Sequence, residues 1–349
     1  MIKIILFKKI LICVRSIVVR ILFGVLIMET ILVTWSSWFI GSNVAKKLLD
    51  NWVNVLWFDN ENDYYDVSLK VDRRSILESY KNFKFYHWDL SNLDSIEFVF
   101  KNNKIDKVVN LAAWAGIRHS FTDPLVYVES NVIWFSNLLF LSNKYWIKSY
   151  IYASSSSVYG NNEKHLLSVE DAIDKPISLY AATKRSNELM AYSYSHSFWL
   201  KTIWLRFFTV YWPRWRPDMA IFKFAEKIKN WDIIDVYNYG KMKRGFTYID
   251  DIVDWIYKAV FHHTKYDLFN LGNYKSVELE YVVSLLEKNI WKKAIKNYLP
   301  LQPGDMIETN ADIQYTIETL WWEPKVSIEE WIKNFVDWYS DYSWKNSNI

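Results

Sequence analysis

Ile31-Leu32-Val33-Thr34-Trp35-Ser36-Ser37-Trp38-Phe39-Ile40-Gly41 decides the fold of this chain. Four apolar or β-branched residues make a short strand. A tight turn follows, and then Asn43-Val44-Ala45-Lys46-Lys47-Leu48-Leu49 repeats its apolar positions at helical spacing. Only the two tryptophans break the pattern. With Trp35 and Trp38 read as glycine the turn becomes TGxxGFIG, in which backbone N–H groups at a helix N-terminus cradle a dinucleotide pyrophosphate. Such a turn has no room for a Cβ, since the phosphates must come up against bare backbone. Two indoles would fill the space the phosphates need.

Composition points the same way. The chain has 20 Trp and only 8 Gly in 349 residues, whereas ordinary glycine usage of about 7% predicts roughly 24. Asn51-Trp52 and Asn230-Trp231-Asp232 read as turns and Tyr211-Trp212-Pro213-Arg214-Trp215 as a loop, all places for glycine. Trp322 and Trp338 read as ordinary tryptophans. The sequence is therefore read as the product of a gene in which a glycine codon has been rendered as tryptophan. Its abundance of Ile, Lys, Asn and Tyr fits an AT-rich gene.

Outward from this turn, strand and helix patterns alternate to about Leu205. Strands are predicted at Ile31–Thr34, Val53–Asp59, Phe83–Tyr86, Lys107–Ala112 and Tyr150–Ser154, with long helices at Asn131–Asn143 and Tyr180–Ser195. The fold class is α/β, a doubly wound parallel sheet with a smaller C-terminal substrate domain. The expected division is a nucleotide-binding domain over 28–208 and a substrate domain over 209–349, with a strand returned to the first. Pro213, Pro217, Pro303 and Pro324 mark loops in the second part.

A net charge of +3 with no basic-aromatic cluster gives no indication of nucleic-acid binding. Cys13 is the only cysteine, so there is no disulfide framework and no zinc cluster, and no metal is expected. A reducing cytoplasm is the simplest compartment. Residues 10–27 are apolar over about the length of a membrane span, but Arg15 and Arg20 interrupt them and only Met28, Glu29 and Thr30 separate them from the first strand. The expectation is a start at Met28; a membrane anchor is the other reading.

Several residues carry chemistry by type and spacing. Asp59 ends the second strand, where an acid accepts hydrogen bonds from the adenosine ribose and disfavours a 2′-phosphate, which favours NAD over NADP. Tyr180 and Lys184 form a YxxxK pair one helical turn apart, and a neighbouring ammonium favours phenolate, making the tyrosine a usable base. Ser154-Ser155-Ser156-Ser157 follows a strand and can offer a hydroxyl to a reacting substrate oxygen.

Taken in order, TWSSWFIG, Asp59, Asp89-Leu90, Asn110-Leu111-Ala112-Ala113, SSSSVYG and YAATK resemble the extended short-chain dehydrogenase/reductase family. Within it, residues 59–66, Ala115-Gly116-Ile117-Arg118, Arg206-Phe207-Phe208-Thr209-Val210-Tyr211, Arg216-Pro217-Asp218-Met219-Ala220 and Phe246-Thr247-Tyr248-Ile249-Asp250-Asp251 are similar to the UDP-glucuronate 4-epimerases, and Gln302-Pro303-Gly304-Asp305 continues the likeness. The resemblance implies a homodimer and a 4-epimerisation through a 4-keto sugar. Tyr180, Lys184 and Ser155 would be catalytic. NAD would lie against Trp35, Trp38, Phe39, Ile40, Gly41, Asp59, Asn60, Asp89, Leu90, Leu111, Ala112, Ala113 and Asn131, with Tyr180 and Lys184 at the nicotinamide. Ser156, Thr209, Arg216, Arg244 and Asp305 would face the UDP-sugar. Gly245 departs from the family, which usually has aspartate there. The rival within the family is a UDP-glucuronate decarboxylase, which shares the keto intermediate; those enzymes and the 4,6-dehydratases carry an acid where this chain has Ser157. If the tryptophans are genuine, the leading alternative is a non-catalytic NAD-sensing scaffold.

Overall fold

A computed structural model describes residues 28–162, 164, 166–211, 220–302 and 307–347. The readings of residues 1–27, of Trp212 and Trp215, and of Arg216 and Asp305 fall outside them. Strand β1 (Thr30–Thr34) is buried except at its first residue and has a parallel neighbour on each side, β2 (Asn54–Asp59) and β4 (Lys107–Asn110). A strand covered on both faces reads as an unbroken apolar run, which is what Ile31, Leu32 and Val33 supply. Helix α1 (Phe39–Asp50) follows the turn, then α2 (Ser68–Glu78), β3 (Phe83–His87) and α3 (Leu93–Asn102). Beyond β4 the chain runs through the helix α4 (Pro124–Lys144), β5 (Ser149–Ser155), α5 (Leu179–Phe198) and β6 (Thr202–Phe207).

The part after β6 does not stay apart from the sheet. Strand β7 (Thr209–Tyr211) pairs with a later strand, Phe246–Tyr248. Helix α6 (Ala220–Asn230) and strand β8 (Ile233–Tyr237) belong to the smaller portion, where β8 pairs with Ile295–Leu299. Helix α7 (Ile249–Val260) then lies on α1, tied there by Lys47 and Asp254 at 2.6 Å. Strand β9 (Tyr266–Leu271) joins the main sheet beside β6. The seven parallel strands are therefore ordered β9-β6-β5-β4-β1-β2-β3. Winding reverses between β1 and β4, and the crevice at their C-terminal ends is where such sheets bind ligands.

Differences from the sequence expectation have local causes. β4 stops at Asn110, not Ala112, because the Ala112 N–H leaves the ladder for Thr34 Oγ1 (3.2 Å) and Asn110 Oδ1 (3.1 Å). The helix expected from Asn131 starts at Pro124, since proline fits the first helical position, where its missing N–H costs nothing. A π-turn at Glu129–Ile133 interrupts that helix and presents Asn131.

Candidate active site

The turn after β1 lies on one lip of the crevice. Trp35 adopts a left-handed backbone (φ 52°) and its N–H donates to Phe58 O at 3.1 Å. Trp38 is the N-cap of α1 and offers its helix no side-chain acceptor. Gly41 lies under this turn so closely that a Cβ would meet Trp35 O at 2.4 Å, the close strand–helix approach that the third glycine of such a turn permits. The two indoles stack at 4.3 Å between centroids and 3° between planes, and both are buried. They occupy the ground in front of the α1 N-terminus. What remains beside them is a shallow hollow lined by Trp35, Phe58, Asp59, Asn60, Trp88, Leu90 and Trp134. With indoles at 35 and 38 the turn does not fit a dinucleotide.

The wall beside the turn is acidic at its base. Asp59 is buried and accepts from the N–H groups of Ser37 (2.9 Å) and Glu61 (2.8 Å). Burial still pushes its carboxyl up to about 6 against those two bonds. Asn60 donates to Asp89 Oδ2 at 2.6 Å, fastening the two strand ends together, and Leu90 is buried next to them. The motif reading missed two cations here. Lys70 is fully buried, bonds Asn62 Oδ1 at 2.9 Å and lies 5.0 Å from the Trp38 ring; burial lowers it to about 8, with Asp59 opposing. Arg73 donates to Ser37 O at 3.0 Å and Tyr65 Oη at 2.6 Å. Their i,i+3 spacing on α2 is the one signal that could have paired them.

The other lip is formed by Leu111, Ala112 and Ala113, all buried. Asn131 holds this segment in place. Its Oδ1 accepts from Trp114 N–H (2.6 Å), and its Nδ2 donates to Trp114 O (3.0 Å) and to Thr183 Oγ1 (3.1 Å) on α5. Asn131 thus acts as a tie between this loop and α5.

α5 begins where Ser178 Oγ accepts the Ala181 N–H at 3.2 Å, a cap that orients the first turn, which carries Tyr180. Tyr180 is mostly buried, edge-on to Tyr127 at 6.0 Å. One turn on, Lys184 is buried and donates to Ala153 O at 2.9 Å, two residues before Ser155 on β5. This bond brings the YxxxK helix to the strand end that carries the serines. Burial pushes the Lys184 ammonium down to about 7, and Glu188 opposes it. Ser155 Oγ donates to Ser157 Oγ at 3.1 Å and accepts from Ser157 N–H at 3.2 Å. Ser154 instead points into the core, donating to Glu188 Oε1 at 2.6 Å. Arg206 closes this core pair with bonds of 3.0 and 3.1 Å to the same carboxylate and one of 2.9 Å to Tyr159 Oη.

Of the residues expected to face the substrate, Ser156 and Thr209 are half-buried. Arg244 donates to Lys243 O (2.8 Å) and Ile307 O (3.2 Å), so part of its fork is engaged on backbone carbonyls. At Gly245 a Cβ would lie 2.4 Å from Asn273 O, so the backbone beside Arg244 is closed to a side chain as it stands.

Residues 31–272 match the NAD dependent epimerase/dehydratase family. The chain belongs to that family. Among its relatives, "Protein CapI" of Staphylococcus aureus is 45% identical over 89% of this chain and 98% of its own length. The UDP-glucuronate 4-epimerase of Thermodesulfobacterium geofontis is 40% identical over 88% of this chain and 95% of its own. Among solved structures, UDP-glucuronic acid 4-epimerase from Bacillus cereus, in complex with UDP-glucuronic acid and NAD, superposes with a TM-score of 0.84 at 31% identity, covering 90% of this chain and all of that one. In this epimerase/dehydratase chain the Lys184–Ala153 bond sets the YxxxK helix against β5, whose C-terminal end carries the serines.

Proposed function

We propose that this protein is a UDP-glucuronate 4-epimerase that uses NAD and interconverts UDP-glucuronate and UDP-galacturonate through a 4-keto sugar. The observation that carries this is the Lys184–Ala153 bond, which sets the helix bearing Tyr180 against β5, the strand that ends in Ser155, in a chain aligned nearly end to end with UDP-glucuronate 4-epimerases. Bound NAD supplies the hydride acceptor at C4. Tyr180 takes the proton of the 4-hydroxyl, Ser155 orients that oxygen, and Lys184 holds the phenolate by its charge. Asp59, Asn60, Asp89 and Leu90 face the adenosine end and Leu111, Ala112, Ala113 and Asn131 the far lip, with Phe39, Ile40 and Gly41 under the phosphates. Ser156, Thr209, Arg216, Arg244 and Asp305 face the sugar and diphosphate, where arginine forks suit phosphate oxygens. This reading applies to the protein with positions 35 and 38 bare.

Epimerisation is favoured over decarboxylation because no carboxylic acid stands at Ser157, whose Oγ accepts from Ser155. The division into 28–208 and 209–349 and a cytoplasmic location belong to the same proposal. So does a homodimer through α4 and α5, supported by the exposed Leu125, Ile133, Phe140, Leu189 and Tyr192 on these helices. The test is product analysis with UDP-glucuronate and the protein carrying glycine at 35 and 38. UDP-galacturonate is expected; UDP-xylose or a 4-keto pentose overturns the assignment.

A further inference from the structure

Ten described residues other than glycine have a positive φ, and seven of them are tryptophan: Trp35, Trp52, Trp146, Trp199, Trp231, Trp291 and Trp321, all between 52° and 64°. Tryptophan is 20 of 349 residues, so chance would place fewer than one there. Nor is it a residue that favours the left-handed region; a bulky side chain there is an outlier. Six of the seven end helices. At Trp52 the chain makes the Schellman pair of bonds, Val53 N–H to Leu48 O (3.1 Å) and Trp52 N–H to Leu49 O (3.0 Å). Trp146 repeats it with Ile147 to Ser142 (2.9 Å) and Trp146 to Asn143 (3.1 Å), and Trp231 with Asp232 to Lys227 (2.8 Å) and Trp231 to Ile228 (3.4 Å). That position belongs to glycine. The indoles gain little in return, for the six are 58–90% exposed.

A second observation comes from inside. Trp57, Trp114, Trp134, Trp204 and Trp331 each bury an indole N–H with no hydrogen-bond partner among the described residues, although buried indoles ordinarily find one. Trp331 also lies 3.8 Å from Tyr211, centroid to centroid, at a 42° tilt, closer than the 4.5–7 Å of ordinary aromatic pairs. A third is the stacked pair that closes the phosphate turn.

We infer that the protein made by its own host carries glycine at positions 35, 38, 52, 146, 199, 231, 291 and 321, all specified by one codon, and that this opens the turn at the α1 N-terminus to a dinucleotide pyrophosphate. One residue type satisfies both demands, a left-handed helix end and a turn without a Cβ. The inference shares the turn with the proposed function, but its other six positions are helix ends, so the two can fail separately.

The first test is peptide mass spectrometry of the protein from its source, with the gene sequenced alongside. Glycine at all eight positions and one shared codon are expected; tryptophan at any of them overturns the inference. The second compares the chain as written with W52G/W146G/W199G/W231G/W291G/W321G, leaving 35 and 38 alone. The urea midpoint should rise, because relief of left-handed strain outweighs the added freedom of the unfolded chain; a fall overturns it. Adding W35G/W38G should then bring co-purifying NAD, visible in the supernatant after acid precipitation. If the glycine protein is stable and holds NAD but leaves UDP-glucuronate unchanged, the epimerase reading fails and this one stands.

Discussion

At the scale of single residues the site turns on how a buried cation keeps its proton. Lys184 has its native value pushed from 10.5 to about 7 by burial, while Glu188 one turn on works the other way. The unfolded chain binds this proton up to 10.5, and the native chain releases it near 7. Between those values unfolding takes up a proton, so stability rises with pH across the window and the cost of the buried ammonium is borne in full below it. Urea unfolding of the ligand-free glycine-turn protein should therefore give a midpoint that climbs from pH 7 towards pH 10. In Lys184→Met that climb should be absent, since the group that titrates is gone. Parallel profiles for the two proteins would show that Lys184 keeps an ordinary value. In the proposed reaction the Lys184 charge that serves Tyr180 is poised at neutrality, so the carboxylate that supports it matters.

That carboxylate belongs to the scale of elements. Glu188 and Arg206 join α5 to β6 inside the core, both almost completely buried, and Ser154 on β5 donates a further bond to the Glu188 carboxylate. Removing one partner of such a pair strands the other charge, whereas removing both does not. Glu188→Gln should cost about 3–5 kcal/mol of stability in urea unfolding. The double variant Glu188→Gln/Arg206→Met should cost less than Glu188→Gln alone; additive losses would mean the pair is not coupled. This pair shows where reading the sequence stops. The strands were legible because β1, β2, β4 and β5 are buried on both faces and so read as apolar runs, and the YxxxK pair because helical spacing is fixed. The Glu188–Arg206 bond joins residues 18 apart on different elements, and no local pattern announces it. Lys70 and Arg73 were illegible for the same reason, since they meet the turn only through the packing of α2 beside it. The turn itself was legible through its disagreement with its own surroundings, a glycine pattern filled with indoles.

For the whole molecule, the question is what covers α4 and α5. These two helices lie together on one face of the sheet, and α4 is apolar enough over Pro124–Lys144 to meet the length and hydropathy of a membrane span, with less than half of that stretch buried. Its exposed residues form a line, Leu125 (76% exposed), Ile133 and Phe140, and α5 adds Leu189 and Tyr192. A bilayer is a poor occupant, because α4 packs along one side on the sheet, where Phe135, Leu138, Leu139 and Leu141 are buried. A second copy of the same two helices is the better one: an isologous contact sets each apolar line against its own equivalent. It would also brace the helix that carries Tyr180 and Lys184 from outside. Ile133→Lys/Leu189→Lys sets four ammonium groups in that contact, two from each copy, and should convert a dimer into a monomer in sedimentation equilibrium, with the far-UV spectrum unchanged because both positions are on the surface. The monomer should also lose activity, as α5 is then held from the sheet side alone. A parent protein that sediments as a monomer would exclude the contact, and a double variant that remains dimeric would move it to another face.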